Sequence, residues 1–423
     1  MVGRGPALVL DAQAGSALPL LLVLISAVIK RRAIFRLLGT LPWAGAAWAG
    51  VAGVPLPVPP LDGSFSAEIA PLLFPGAPTT RVEVTARTSA AGVRELVFQV
   101  RADGLTLEGD ATLGAGGEGE WRLKQGEVDL AVWSGPAISR LAPAGAGAAR
   151  GRLRITAAGS WRGGVWGGAA EFALEQGGYE NPGKKLSLSG VSARVRIPDL
   201  RTWRSEPGQV LEWEGGGFDV LAVGAGRVRF RLEDNAVHIE DAAVAVLGGE
   251  LSVVRASVAF NAASYSLAAR MRGVQLAELL PFLPPLLASA RGRLDGRISL
   301  RSDADGVRIE SGHLALRAGE TAELRFLPTP GVISGQLPQV VRQYYPGLLQ
   351  LESGGIPLRA ERLEVVMNAS GDETGRTAVV SLEGGPSDPA LRAPVVIQVN
   401  VRGPLDQVVA FGTHSRLRFS DTK

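Results

Sequence analysis

Three histidines, His238, His313 and His414, are the only imidazoles in a chain of 423 residues that has no cysteine. A helical zinc site pairs histidines at i and i+4, and these three lie far apart with no such spacing. Each therefore reads as a structural or surface residue, and His313 falls in a strand-like run. Without cysteine there are no disulfides, thiolate metal sites or Cys nucleophiles. Gly114 to Gly119 formally matches G-x-G-x-x-G, but the following "EWRLKQGEVDLAVW" alternates like a strand. A dinucleotide site needs a helix N-terminus there, and Glu118 would repel phosphate, so this is a turn. Asp303-Ala304-Asp305-Gly306 has the opening of a calcium loop but lacks its third acidic position and closing Glu; it reads as a hairpin turn. Glu240 and Asp241 could enter an acid/base pair only with a partner from elsewhere, since adjacent strand residues face opposite ways. Lys184 and Lys185, after Pro182-Gly183, read as a solvated loop. There is no G-x-S-x-G elbow. The expectation is a protein that is not an enzyme and holds no metal and no cofactor.

What the chain has in quantity is alternation. In "GRLDGRISLR" (292–301) the odd positions carry charge or hydroxyl and the even ones include Leu294, Ile298 and Leu300. Similar lines occur at 81–87, 152–156, 194–197, 227–232, 362–365 and 397–402. A period of two buries one face of a strand and wets the other. Breaks such as Ala102-Asp103-Gly104 read as hairpin turns of an antiparallel meander. The 55 Gly and 27 Pro also favour strands and turns over long helices. Two stretches depart from this pattern: Val274–Ala290 and Gly335–Leu349 each predict a short helix that caps a sheet edge or plugs an opening. Basic and acidic residues nearly balance, 44 against 41, which argues against nucleic acid as the main partner. The fold class expected is all-β: an elongated, curled antiparallel sheet with an apolar inner face, a few short helices and an N-terminal transmembrane anchor.

Two apolar segments, roughly Ser16–Ile29 and Leu37–Pro55, flank Lys30, Arg31, Arg32 and Arg36. Either a single signal anchor begins near Lys30 or both segments insert as a hairpin. The positive-inside rule puts the basic patch in the cytoplasm and the body outside it in both cases. Ala47-Trp48-Ala49 also fits a cleavage site, but a retained anchor is preferred. Val54–Gly63 forms a stiff Pro-rich spacer. All eight Trp precede residue 214, which places a soft boundary near Gly215–Gly217. The expected organisation is 1–60 anchor and linker, 61–215 first β module, and 216–423 second β module.

"SARGRLDGRISLRSDADGVRIESGHLALRAGETAELRF" (289–326) resembles a Gly/apolar pattern of the YdbH-like family, relatives of the AsmA and TamB proteins. "MRGVQLAELLPFL" (271–283) resembles that family's strand followed by a short helix. Residues 363–409, with a turn at Arg392-Ala393-Pro394, resemble its closing segment. The resemblance covers about 216–410. It implies an inner-membrane-anchored periplasmic protein carrying phospholipid between membranes, and a region also known as a dicarboxylate-transport domain. It further implies a long curled sheet with an apolar trough, and a YnbE-like outer-membrane lipoprotein as partner by strand addition.

Exposing a 16-carbon chain to water costs on the order of 12 kcal/mol, at about 0.8 kcal/mol per CH2. A continuous apolar track removes that barrier without any covalent chemistry. The expected lining is Leu294, Ile298, Leu300, Val307, Ile309, Leu314, Leu316, Leu363, Val365, Met367, Ile397, Val399 and Val401. Alternation alone would equally build a closed sandwich with a filled core; the anchor, the spacer and the resemblance favour the trough. A sheet of some 20 strands at about 4.8 Å would be roughly 95 Å long. A membrane-tethered scaffold for outer-membrane assembly is the second expectation. A secreted carbohydrate-active enzyme, with clustered carboxylates and aromatics in the Trp-rich module, is a distant third.

Overall fold

The computed structural model describes residues 62–402 apart from 70–77, 115–116, 134–146, 163–164, 182–185, 219–220, 235, 260–263, 283–285, 304–305, 329–330, 332–334, 336–337, 339–343, 345, 389–390 and 392–394. The expected anchor, cleavage site and spacer, the Lys184-Lys185 loop, the turn at 392–394 and His414 lie outside the described residues. Among the described residues no helix is long and apolar enough to cross a membrane.

Period-two patterning becomes one 21-stranded antiparallel sheet. Its first half comprises β1 (Gly63–Ile69), β2 (Thr80–Thr88), β3 (Arg94–Ala102), β4 (Leu105–Leu113), β5 (Gly119–Asp129), β6 (Ala148–Arg162), β7 (Val165–Asn181) and β8 (Leu186–Ile197). There follow β9 (Gln209–Trp213), β10 (Gly215–Phe218), β11 (Leu221–Glu233), β12 (Ala236–Val246), β13 (Gly249–Ala259) and β14 (Tyr265–Gln275). The remainder are β15 (Leu287–Arg291), β16 (Arg293–Asp303), β17 (Gly306–Leu316), β18 (Ala322–Phe326), β19 (Leu358–Asn368), β20 (Arg376–Pro386) and β21 (Val395–Arg402).

The pairing is a meander in which strands bond to near neighbours in sequence. β9 and β10 together fill one place between β8 and β11. β15 with β16, and β17 with β18, likewise share places. The 21 strands thus fill 18 places, so the sheet runs about 80 Å along its ladder rather than 95 Å. Turn residues match the breaks read from sequence: Gly104 takes φ 65° between β3 and β4. Leu247 and Gly248, both at positive φ, join β12 to β13, the backbone that suits a two-residue hairpin. The Gly114–Gly119 stretch joins β4 to β5, and a strand follows it, not a helix.

Register shifts recur mid-strand between β4 and β5, β5 and β6, β6 and β7, β7 and β8, and β11 and β12. Such bulges bend a strand and add twist. In β7 the insertion at Glu175-Gln176 moves the buried set from Phe172 to Gly177, Tyr179 and Asn181. From β2 to β13 the inner side chains are buried, although among the described residues no second sheet covers them. The sheet therefore folds over its own apolar face.

That interior is two main clusters. One runs from Val82 to Val258 and the other from Val253 to Val395. Ala242 and Ala256 pack against both, so the change-over lies on β12 and β13. There the ladder thins too: β13 pairs with β14 only through Glu250, Leu251 and Ser252. Gly215–Gly217 lies in β10, which is bonded on both sides.

Among the described residues the first of the two expected helices is shorter than the sequence predicts. Within Val274–Ala290, only α1 (Leu276–Leu279) is α-helical, continued by a 3-10 turn at Leu280–Phe282. Val274 and Gln275 still belong to β14, and Leu287 already starts β15. Proline at 281 removes an amide donor one turn in, so the helix stops. The second helix, α2 (Pro346–Glu352), lies at the far end of the stretch expected, with Pro346 in the first-turn position that tolerates proline. A Schellman end closes it, with Gly354 at φ 71° and its amide on Leu351 O at 3.0 Å.

Candidate functional site: the inner face of β14–β21

The alternating apolar residues of β14 to β21 fall into cross-strand rows on one face. Met271, Gly296, Leu314, Val365, Val380 and Val399 are successive partners across six strands. A second row is Ala269, Ile298, Gly312, Met367, Ala378 and Val401. Leu294 faces Val274 and Leu316, while Leu363 faces Leu382 and then Ile397. Leu300 faces Leu267 and Ile309. Twelve of the thirteen expected lining residues lie in these partnerships; the side chain of Val307 lies outside the described residues.

Exposure along the rows is graded. Leu294 (1 %), Ile298 (7 %), Leu314 and Leu363 are buried. Leu300, Ile309, Leu316, Val365, Met367, Ile397 and Val401 are half-buried. Val399 is 43 % exposed although its parity points inward. The face is thus closed near β14–β16 and opens toward β21. Gly312 is small because its neighbours need the space: a Cβ there would lie 2.5 Å from Met367 Cε and 3.1 Å from Ile298 Cγ2.

Two helices lie against this cluster. Leu276 of α1 and Leu348 and Leu351 of α2 are buried in it, with Leu351 at 0 % exposure beside Leu358, Ala360 and Leu324. The buried Glu352 accepts the Gly331 amide at 3.1 Å, tying α2 to that turn. α2 therefore covers one part of the trough, beside β18 and β20, while Val399 on β21 stays exposed. The i, i+3 spacing of Leu348 and Leu351 was available in the sequence. The β20 residues Ala378, Val380 and Leu382 were harder to see, because Val379 beside them is also apolar and blurs the alternation.

The interior of β2–β13 differs. Trp121, Trp161, Phe98, Phe172 and Phe230 are buried there, and the protein's own side chains fill it. Trp133 donates to Asp103 O at 2.7 Å and Trp213 to Gly224 O at 3.1 Å. These tryptophans pack inward rather than lining a cleft with carboxylates. A concavity of about 740 Å³ on β6–β8 is lined instead by Arg152, Arg154, Glu175, Gln176, Ser192 and Glu214 with two glycines.

Most titratable groups sit on the outer face or in turns; Tyr179 and Glu352 are buried. His313 bonds Glu364 at 2.6 Å on that face, and His238 lies on β12. Among the described residues no cluster of acids and histidines could hold a metal ion. Burial raises the Tyr179 phenol above its ordinary value, against the hydrogen bond from Asn181. The Asp372 carboxyl is held well below the carboxylate range, first by the Arg376 amide, then by the Thr374 hydroxyl and the Arg376 guanidinium. A depressed folded pKa contributes stability that is complete above the unfolded value, about 3.9, and is lost as pH falls toward the folded one. Asp372→Ala should thus destabilise the β19–β20 hairpin at neutral pH, with the difference from the parent shrinking only below about pH 4. Urea midpoints of the two proteins at pH 7 and pH 3 check this; equal midpoints at pH 7 would refute it.

Set beside known proteins, residues 31–332 match the family model described as YdbH-like: Intermembrane phospholipid transport protein YdbH. The match begins well upstream of residue 216, where the resemblance was read, and ends before β19. No curated protein and no solved structure matches the chain.

Proposed function

The chain belongs to the YdbH-like family of intermembrane phospholipid transport proteins, and from that premise we propose that it carries phospholipid with the acyl chains on the inner face of β14–β21. The observation that carries this is Val399, an inward valine left 43 % exposed at the end of the Leu314–Val365–Val380 row. Hydrocarbon laid along that row exchanges water for apolar contact at about 25 cal/mol per Å². The headgroup stays at the exposed end of the row, in water. Binding of this kind needs shape and apolarity, with few polar contacts, and no residue acts as a catalyst.

In this reading residues 1–60 tether the body to the inner membrane from the periplasmic side. A YnbE-like outer-membrane lipoprotein adds a strand to β21, which has β20 as its one partner among the described residues. Carriage along β2–β13 then requires the two walls of the sheet to part, because that interior is filled. The filled interior favours a second reading, a tethered scaffold that binds protein and no lipid.

A photo-crosslinker at Val399 in living cells separates them. It should capture phospholipid, whereas one at Val396, on the outer face of the same strand and 77 % exposed, should not. Equal lipid capture at both positions, or protein capture alone at Val399, would remove the lipid-carrier reading.

A further inference from the structure

Many arginines on the outer face are neutralised. Arg81 and Arg101 stand directly opposite one another on β2 and β3, yet each has its own carboxylate, Glu68 at 2.7 Å and Glu108 at 3.7 Å. Arg229 meets Asp241, Arg194 meets Glu171, and Arg362 meets Glu383. Arg270 on β14 and Arg297 on β16 are not neutralised, and although others such as Arg122, Arg255 and Arg359 also have no carboxylate within 4.0 Å among the described residues, these two face each other. They are direct cross-strand partners, both exposed, and among the described residues neither has a carboxylate within 4.0 Å. Three nearby acids are committed elsewhere. Asp295 accepts the Gly273 amide at 2.6 Å and lies 3.4 Å from Arg317. Glu364 is taken by His313, the residue facing Arg297 on its other side. Glu310 is taken by Ser299 and Arg301. Arg272, two residues along the same face, stands opposite Glu250 on β13, whereas Arg270 has Ser252 opposite it.

Like charges directly opposite on a sheet destabilise it. An uncompensated pair therefore needs a counter-charge from outside. Two guanidinium forks on side chains with Cβ atoms about 5 Å apart can reach one tetrahedral oxyanion, and arginine binds phosphate through paired, charge-assisted hydrogen bonds. We propose that Arg270 and Arg297 form a site for a phosphate oxyanion. The site lies on the outer face, behind Ala269, Met271 and Ile298, which point inward. A phosphate held there belongs to a different molecule from a lipid whose chains lie on the inner face. The inference thus goes beyond the acyl-groove reading and does not rest on it.

The test uses the full chain and Arg270→Gln, Arg297→Gln and the double variant. Thermal midpoints are compared in chloride and in inorganic phosphate at equal ionic strength. Co-flotation is compared on phosphatidylcholine vesicles with and without phosphatidylglycerol. The parent should gain midpoint in phosphate or preference for the anionic vesicles, and each single variant should weaken that response about tenfold. In chloride the single variants should melt about 1 °C higher, because the repulsion is gone. A response to vesicles alone identifies a lipid headgroup as the source; a response to inorganic phosphate alone identifies a soluble phosphoester. If the double variant responds to both probes as the parent does, or if the parent responds to neither, the site does not exist. Neither result touches lipid capture at Val399, so the two proposals fail separately.

Discussion

Val399→Glu should abolish lipid transfer while leaving the fold intact. The side chain sits on the inward parity of β21 and is already 43 % exposed, so a carboxylate there remains hydrated in the lipid-free protein. The stability change should stay within about 0.5–1 kcal/mol. Once an acyl chain lies along the Val380–Val399 row, however, that carboxylate is desolvated without a partner. The penalty is about 3 kcal/mol or more, a hundredfold loss of occupancy. Val396→Glu, on the outer face, should transport as the parent does. The same charge at Ile298 behaves otherwise. Ile298 is 7 % exposed and packed in the core with Met367 and Gly312, so Ile298→Glu should cost about 4 kcal/mol and unfold this half of the sheet. Transfer measured between donor and acceptor vesicles, with circular dichroism of each variant, decides the matter. A Val399→Glu protein that is folded and transports normally would end the acyl-groove proposal.

Phe230→Ala should cost about 3–5 kcal/mol, among the largest single-residue losses in the chain. Phe230 is 1 % exposed on β11 and is the largest fully buried side chain among the described residues. It faces β9 through Gln209 and β12 through Ile239. Nothing polar is left unpaired by the change, so the loss comes from transfer energy and from a cavity that close-packed neighbours cannot fill. If β2–β13 is a filled core, the variant unfolds at a much lower urea midpoint and gains affinity for a small apolar probe, since an apolar cavity stays dry. A loss under about 1 kcal/mol would mean that the interior has slack and that the walls already part in the resting protein.

The all-β architecture was legible because each strand carries its own alternation. Arg227-Val228-Arg229-Phe230-Arg231-Leu232 buries Val228, Phe230 and Leu232 and wets the arginines between them, as a period of two requires. The expected lining residues were legible as a face for the same reason. Helix extents were less so. Val274–Ala290 is apolar throughout, and composition gives no point at which β14 ends and α1 begins; the pairing of Val274 with Leu294 fixes it. Which inward residues are sealed and which are open was not legible at all. Leu294 and Val399 have the same parity and the same apolar character, and they differ only in what lies across from them.

The sequence by itself determined which side of each strand is apolar, that the turns are short, and hence that strands pair with their neighbours in a meander. These follow from local chemistry: side-chain period, glycine at positive φ, and charge on the wet face. The tertiary structure alone decided that the sheet closes on itself from β2 to β13, that α2 covers one part of the C-terminal trough, and that Arg270 meets Arg297 with no acid between them. Each of these depends on bulges and registers that bring residues distant in the chain together, and register is set by the summed packing of all the strands rather than by any one of them.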